Sequence, residues 1–299
     1  MPGIDRLRRI AITGAALLAF CAAAGAAAPA VAAPSLWVVR SSTATVYLFG
    51  TVHNLPPNLK WRTPLVDKAL ASSQTIWTES ESGSLPYLAR LIRRYGLSQQ
   101  GSLRTLLPKR YRSRYETEMH SAGLQVDEFG HIKPWLAEML LSGSTLHHAH
   151  TGGSVETDLL AYAHRSHKNT RTFESADSQF AVLADLPVDA QLRALELDID
   201  GYPSAGGQMT PLVQAWMDGD ETKLDALTNR KLVASDERYF DDIIVRRDEA
   251  FAQTVDTLLQ NNGTAFIALG AAHLCGGTGV QALLKNYNRV AERITVKTE

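Results

Sequence analysis

The stretch Thr45-Val46-Tyr47-Leu48-Phe49-Gly50-Thr51-Val52-His53 decides how this chain is read. β-prone residues run into a glycine, and a histidine follows three positions later. A glycine closing a buried strand lets the backbone turn sharply. The histidine then stands on the turn at the strand's carboxyl end, where open α/β sheets place their ligands. The pattern recurs near the other terminus, where Ala265-Phe266-Ile267-Ala268-Leu269 leads into Gly270-Ala271-Ala272-His273. With 21 Gly and 9 His in 299 residues, about 0.6 Gly-x-x-His pairs are expected by chance. The shared position at a strand end therefore carries the signal, not the spacing.

Working outward, Leu36-Trp37-Val38-Val39-Arg40 and the first motif strand are split by Ser41-Ser42-Thr43-Ala44, which predicts an antiparallel hairpin. Thr63-Pro64 opens a helix with Pro at its first position. Thr75-Ile76-Trp77-Thr78 is a strand ending in Glu79, completing a βαβ-like unit. From Pro86 to Leu141 the apolar spacing is helical, within a helical insertion spanning roughly residues 84–150. Val155 to His164 is helical, Thr170 to Phe173 is a strand ending at Glu174, and Ser178 to Leu197 is helix interrupted at Pro187. Phe240 to Leu259 reads as one long amphipathic helix, Val280 to Asn286 as a shorter one, and Arg293 to Val296 as a last strand. The fold class expected is α/β: a central, mostly parallel sheet flanked by many helices, with an N-terminal β-hairpin and a helical insertion.

Arg6, Arg8 and Arg9 precede an apolar stretch, and Ala30-Val31-Ala32 offers the small-x-small pattern of signal cleavage. Residues 1–32 are read as a signal peptide and 33–299 as the folded domain, with a periplasmic or secreted address. A retained anchor is the rival, but Ala and Gly dominate the stretch and make a weak one. Cleavage leaves no stable membrane span. Loss of three Arg and one Asp takes the formal charge from −1 to −3, which argues against nucleic acid as a partner. Cys275 is then the one remaining cysteine, so no intramolecular disulfide forms.

His53, Glu79, Glu174 and His273 all fall at strand ends. Two imidazoles with one or two carboxylates form a ligand set for Zn²⁺, Mn²⁺ or Fe²⁺ that leaves open positions. The bland alternative is that each His caps a turn or sits satisfied in the core. Arg246, Arg247 and Asp248 lie mid-helix, where Arg either clamps a carboxylate bidentately or belongs to a solvated face. His147-His148-Ala149-His150 sits in a polar break and reads as an exposed loop. Gly276-Gly277-Thr278-Gly279 opens a helix and suits an anion, without the Lys of a P-loop. No Gly-x-Ser-x-Gly elbow occurs, so serine hydrolysis is a poor fit.

The ordered set of Leu36-Trp37-Val38, Tyr47 to His53, Trp77-Thr78-Glu79, Lys133-Pro134-Trp135, Phe173-Glu174-Ser175 with Gln179, Arg247, and Gly270 to Leu274 with Gly276 and Gly279 resembles the TraB/GumN family. That family is similar to the TIKI metal-dependent proteases and to a wider grouping with erythromycin esterase and the haem-binding ChaN proteins. The resemblance implies a site built from both Gly-x-x-His motifs and the first-strand glutamate, hence His53, Glu79 and His273 around a divalent metal (Mn, Co or Zn). It implies Glu174 and Arg247 as neighbours. The expected function is an exported metal-dependent hydrolase, in the first instance a peptidase, acting on a peptide or small-molecule substrate. Glu174 is then a second carboxylate ligand or general base, and Arg247 stabilises an oxyanion or binds a substrate carboxylate. The alternative is a non-enzymatic haem-, metal- or polysaccharide-assembly binding protein using the same pocket. Asp248 departs from the family, which more often has Asn after the Arg.

Overall fold

The computed structural model describes residues 33–52, 55–56, 58–81, 83–99, 101–121, 126, 130–141, 154–201 and 210–295. Residues 1–32, His53 and the His147-His148-Ala149-His150 tract lie outside the described residues.

A six-stranded sheet forms the centre. Its strands are β1 (Leu36–Arg40), β2 (Ala44–Thr51), β3 (Thr75–Ser80), β4 (Asn169–Glu174), β5 (Gly263–Gly270) and β6 (Glu292–Ile294), in the spatial order β4-β3-β5-β2-β1-β6. β1 and β2 form the expected antiparallel hairpin, with Leu36 opposite Phe49. β2, β5, β3 and β4 run parallel, and Thr51 at the end of β2 pairs with Gly270 at the end of β5. The two glycine motifs therefore finish side by side at one edge. β6 is antiparallel to β1 and one residue earlier and shorter than the sequence suggests.

Alternation along the central strands divides the core. Phe49, Ile76 and Phe266 face one layer with Trp61, Leu70, Leu159 and Trp216. Leu48, Ile267 and Leu269 face the other with Phe251, Val255 and Leu284. Burial on both faces is why the motif strands read as continuous apolar runs. The first layer is built by α1 (Pro64–Ser72), α6 (Val155–Arg165), α9 (Pro211–Asp218) and α10 (Glu221–Leu227), and the second by α13 (Arg246–Gln260) and α14 (Val280–Leu283). The Thr63 hydroxyl accepts from Val66 N at 3.3 Å and Pro64 follows, so α1 starts where the sequence predicts.

A separate helical core gathers α2 (Leu85–Leu91), α3 (Leu103–Leu106), α4 (Lys109–Ser121), α5 (Pro134–Leu141), α7 (Ala176–Asp185) and α8 (Val188–Gly201) around Trp135, Tyr115 and Leu195. α11 (Asn229–Ser235) and α12 (Glu237–Phe240) lead from it towards the sheet. α12 continues through a wide π-type turn, Asp241–Val245, into α13. The long helix read from the sequence is thus one rod spanning both cores: Tyr239 belongs to the helical core and Phe251 to the sheet. π-type turns recur at functional sites, and this one ends immediately before Arg246-Arg247-Asp248.

Candidate active site

The carboxyl ends of β3, β4 and β5 and the middle of α12–α13 deliver four of the expected residues to one place. Arg247 sits at the centre with 11 % of its side chain exposed. Its Nε donates to both oxygens of Glu174, at 3.0 and 3.2 Å, and its Nη2 donates to Glu174 Oε2 at 2.8 Å. Nη2 also donates to Glu79 Oε1. Nη1 donates to the Ile243 carbonyl at 3.1 Å and lies 3.4 Å from His273 Nε2. Burial weakens the charged guanidinium, but Glu79 and Glu174 outweigh it and hold its pKa above the ordinary value.

Arg247 is therefore neither on a solvated face nor waiting for an acid. It already clamps two carboxylates that are 73 and 168 positions away in sequence. Arg246 beside it points outward to Asp242. A groove of about 500 Å³, lined by Arg246, Glu249, Gln253, Leu283 and Tyr287 among others, includes none of the site residues.

Glu79 is the penultimate residue of β3, one position inside the strand rather than past its end. Gly270 N–H donates to Glu79 Oε2 at 3.2 Å, and Gln179 Nε2 donates to Oε1 at 3.0 Å. Gln179 arrives because Glu174 ends β4 and Ser175 then caps α7 in a reciprocal box with Ser178, turning the chain into a helix within one residue. Glu81, two residues after Glu79, lies beyond β3 and accepts from the Tyr87 hydroxyl.

His273 stands on the single 3₁₀ turn that follows Gly270, with 5 % of its side chain exposed. Its Nδ1 is 2.6 Å from Asp248 Oδ1. A carboxylate there fixes Nδ1 as the donor, and the guanidinium beside Nε2 can only donate. Nε2 therefore carries the lone pair, which faces Arg247 Nη1 at 3.4 Å and lies 3.6 Å from Glu79 Oε2. Phe251 packs edge-on against the imidazole with centroids 5.4 Å apart. Asp248 is fully buried, and burial raises its pKa to about 6 against the lowering effect of the His273 hydrogen bond. Its Oδ2 has no hydrogen-bond partner among the described residues.

At the neighbouring end of β2, the Thr51 hydroxyl donates to Glu156 in the first turn of α6, a carboxylate that the motif reading does not anticipate. His53 follows two residues later, outside the described residues. Among the described residues no group of three His, Cys, Asp or Glu is arranged to hold a metal ion.

Two other candidates resolve differently. Gly276 has φ +67°, and Asp225 crowds the position where its side chain would be, so a negative charge already faces the glycine turn. That opposes an anion. Cys275 is buried, its thiol donates to the Ala271 carbonyl at 3.0 Å, and burial pushes its pKa up to about 12.

A mostly parallel sheet flanked on both faces, with two glutamates and a carboxylate-held histidine at the carboxyl ends of its strands and a helix arginine against them, defines an α/β protein with a polar strand-end centre. The chain belongs to the TraB/PrgY/gumN family, whose model matches residues 35–293. An uncharacterized protein of Treponema pallidum (strain Nichols) is 20 % identical over 263 residues, covering 83 % of this chain and 79 % of that protein.

Proposed function

We propose that this chain is an exported hydrolase that works with a divalent cation held by Glu79 and His273, the sequence supplying His53 as a third ligand. One observation carries the reading: the centre gathers three carboxylates, Glu79 and Glu174 on one guanidinium and Asp248 on the imidazole of His273. Buried negative charge in excess favours a cation. The donor chemistry fits. His273 Nε2 and Glu79 Oε2 are 3.6 Å apart, close to the separation of two ligands at about 2.1 Å from one ion. Asp248 on Nδ1 is the outer carboxylate that commonly orients a metal-binding imidazole.

A divalent ion bound there would polarise a substrate carbonyl and acidify water. The chain's own residues have distinct duties. Asp248 keeps the Nε2 lone pair of His273 facing inward. Gly270 N–H and Gln179 hold the Glu79 carboxylate in place. Arg247 fixes the positions of Glu79 and Glu174, and its fork bonds already engage both Glu174 oxygens. That geometry gives Glu174 an anchoring duty rather than that of a base. Export is supported by the basic-apolar-small pattern of residues 1–32.

The test is direct. Purified protein is incubated with Mn²⁺, Co²⁺ or Zn²⁺, desalted, and analysed for retained metal and for hydrolysis of peptide and ester panels. The expected result is about one equivalent per chain, with metal-stimulated turnover lost in H273A and E79Q. Protein that retains almost no metal, or turnover unchanged in both variants, overturns the reading.

A further inference from the structure

A small cavity is bordered by both glycine motifs: by Gly50 of the first, and by the Ala271–Leu274 turn that carries His273 in the second. Leu36 opens β1 opposite Phe49, which brings Ser35 and Trp37 to the same edge of the sheet. Glu221 arrives there as the first residue of α10. The cavity measures about 10 Å³, close to the room that one water molecule needs.

Three of the residues lining it carry a buried polar atom with no hydrogen-bond partner among the described residues: Ser35 Oγ, Trp37 Nε1 and Glu221 Oε1. The other polar groups around it are in use. Trp216 Nε1 donates to the Gly50 carbonyl at 2.8 Å, and the Cys275 thiol donates to the Ala271 carbonyl. Arg293 Nη1 is 3.7 Å from Glu221 Oε1, too far to bond it, and its Nη2 donates to the Gly219 carbonyl. Burial raises the Glu221 pKa, and Ser35 and Arg293 nearby only partly offset it. Three unbonded atoms on one small cavity call for a shared partner, because buried polar groups in native proteins are bonded.

We propose that this cavity binds one water molecule as a fixed part of the fold, held by Trp37, Ser35 and Glu221, and that it sets the two Gly-x-x-His turns against each other. The indole N–H only donates, the carboxylate only accepts, and the hydroxyl does either. The occupant must therefore both accept and donate. An ammonium has nothing to offer the indole, and an anion meets the Glu221 carboxylate. A metal ion gains nothing from an indole N–H. Water answers all three in the space given. The coupling to the turns is steric: a Cβ on Gly50 would stand 3.2 Å from Ala271 Cα, so a shift of one turn is passed to the other. Ser35, Trp37 and Glu221 are positioning residues in this sense. The water site does not depend on the hydrolase reading.

The experiment is water-to-protein NMR on purified ¹⁵N-labelled protein, reading the Trp37 indole N–H, which is assigned by its loss in W37F. The expected result is a water NOE and ROE of opposite sign at that proton, the mark of a held water molecule. S35A keeps the signal, because Trp37 and Glu221 still hold the water and the Ser35 hydroxyl proton is not its source. S35A/E221L removes both acceptors and loses it, whereas E221Q keeps an oxygen acceptor and retains it. The His273 ring ¹⁵N signals shift in S35A/E221L and stay in place in E221Q. Circular dichroism checks that S35A/E221L is folded, and the wild-type and E221Q spectra test the site without it. Absence of the signal in wild type, its loss in S35A alone, or its survival in S35A/E221L overturns the water site. Unmoved His273 signals in a folded S35A/E221L that has lost the water overturn the positioning role. Turnover is not read, so an inactive protein defeats the hydrolase reading and leaves this result standing.

Discussion

At the sheet edge, Glu79 and Glu174 share one guanidinium, and Asp248 holds an imidazole. Within the helical core, Glu138 on α5 and Asp198 on α8 are half-buried with no basic partner among the described residues. Both places take carboxylates out of water. The first compensates them with cations and backbone N–H groups brought from distant parts of the chain. The second leaves them with a raised proton affinity. The contrast teaches that burial alone does not define a functional group. A compensated centre is built to keep its geometry, whereas an uncompensated pair holds its protons more tightly.

The strongest way to break the compensated centre is to remove its cation. R247A leaves Glu79 and Glu174 mostly buried without a counter-charge, and the expected loss is about 3–5 kcal/mol of stability. Urea unfolding of wild type and variant measures it. R247K keeps the charge but lacks the fork that engages both Glu174 oxygens, so it should recover part of the stability and little of any activity. A loss under about 1 kcal/mol in R247A would mean that the carboxylates are solvated and that the centre is not compensated in the sense drawn here.

A smaller effect separates positioning from folding. D248N removes a buried carboxylate whose second oxygen has no partner, so stability should hold or rise. The amide oxygen can still accept from Nδ1–H, but its NH₂ can equally donate to a bare Nδ1, so the tautomer is no longer fixed and activity or metal affinity should fall about 10–100-fold. Turnover and retained metal are measured on the same preparation. Equal falls in stability and activity would make Asp248 a packing residue only.

Much of the fold follows from local pattern. The hairpin, the four parallel strands and the helix start at Thr63 rest on apolar runs, Pro and a Thr cap, which are local signals, whereas α7 starts after Ser175, ahead of the Ser178 start that the sequence suggests. The site was half legible for the same reason: Glu79, Glu174 and His273 stand at strand ends, and parallel strands bring their ends together. Arg247 and Asp248 were harder. Two charged residues mid-helix look solvated, and only the long-range pairing with Glu174, Glu79 and His273 turns them inward. The π-type turn before them carries no mark in a single sequence. Glu138 and Asp198 were invisible, because an amphipathic reading assigns any carboxylate to the wet face of its helix.

The mildest test asks whether the acid pair is as uncompensated as its surroundings imply. Both carboxyls hold their protons more tightly in the folded chain than the ordinary value of about 4 in an unfolded one. Between that value and their raised values the folded state binds more protons than the unfolded state. Stability must therefore fall as pH rises through this window, the reverse of a carboxylate held by arginine. Each group contributes at most about 1.4 kcal/mol per pH unit. E138Q/D198N cannot titrate at these positions, so its stability should decline less from about pH 5 to about pH 8 than that of wild type. Urea midpoints across that range decide it. Parallel profiles would place the pair in water, and the two polar centres would then differ in geometry but not in how they carry charge.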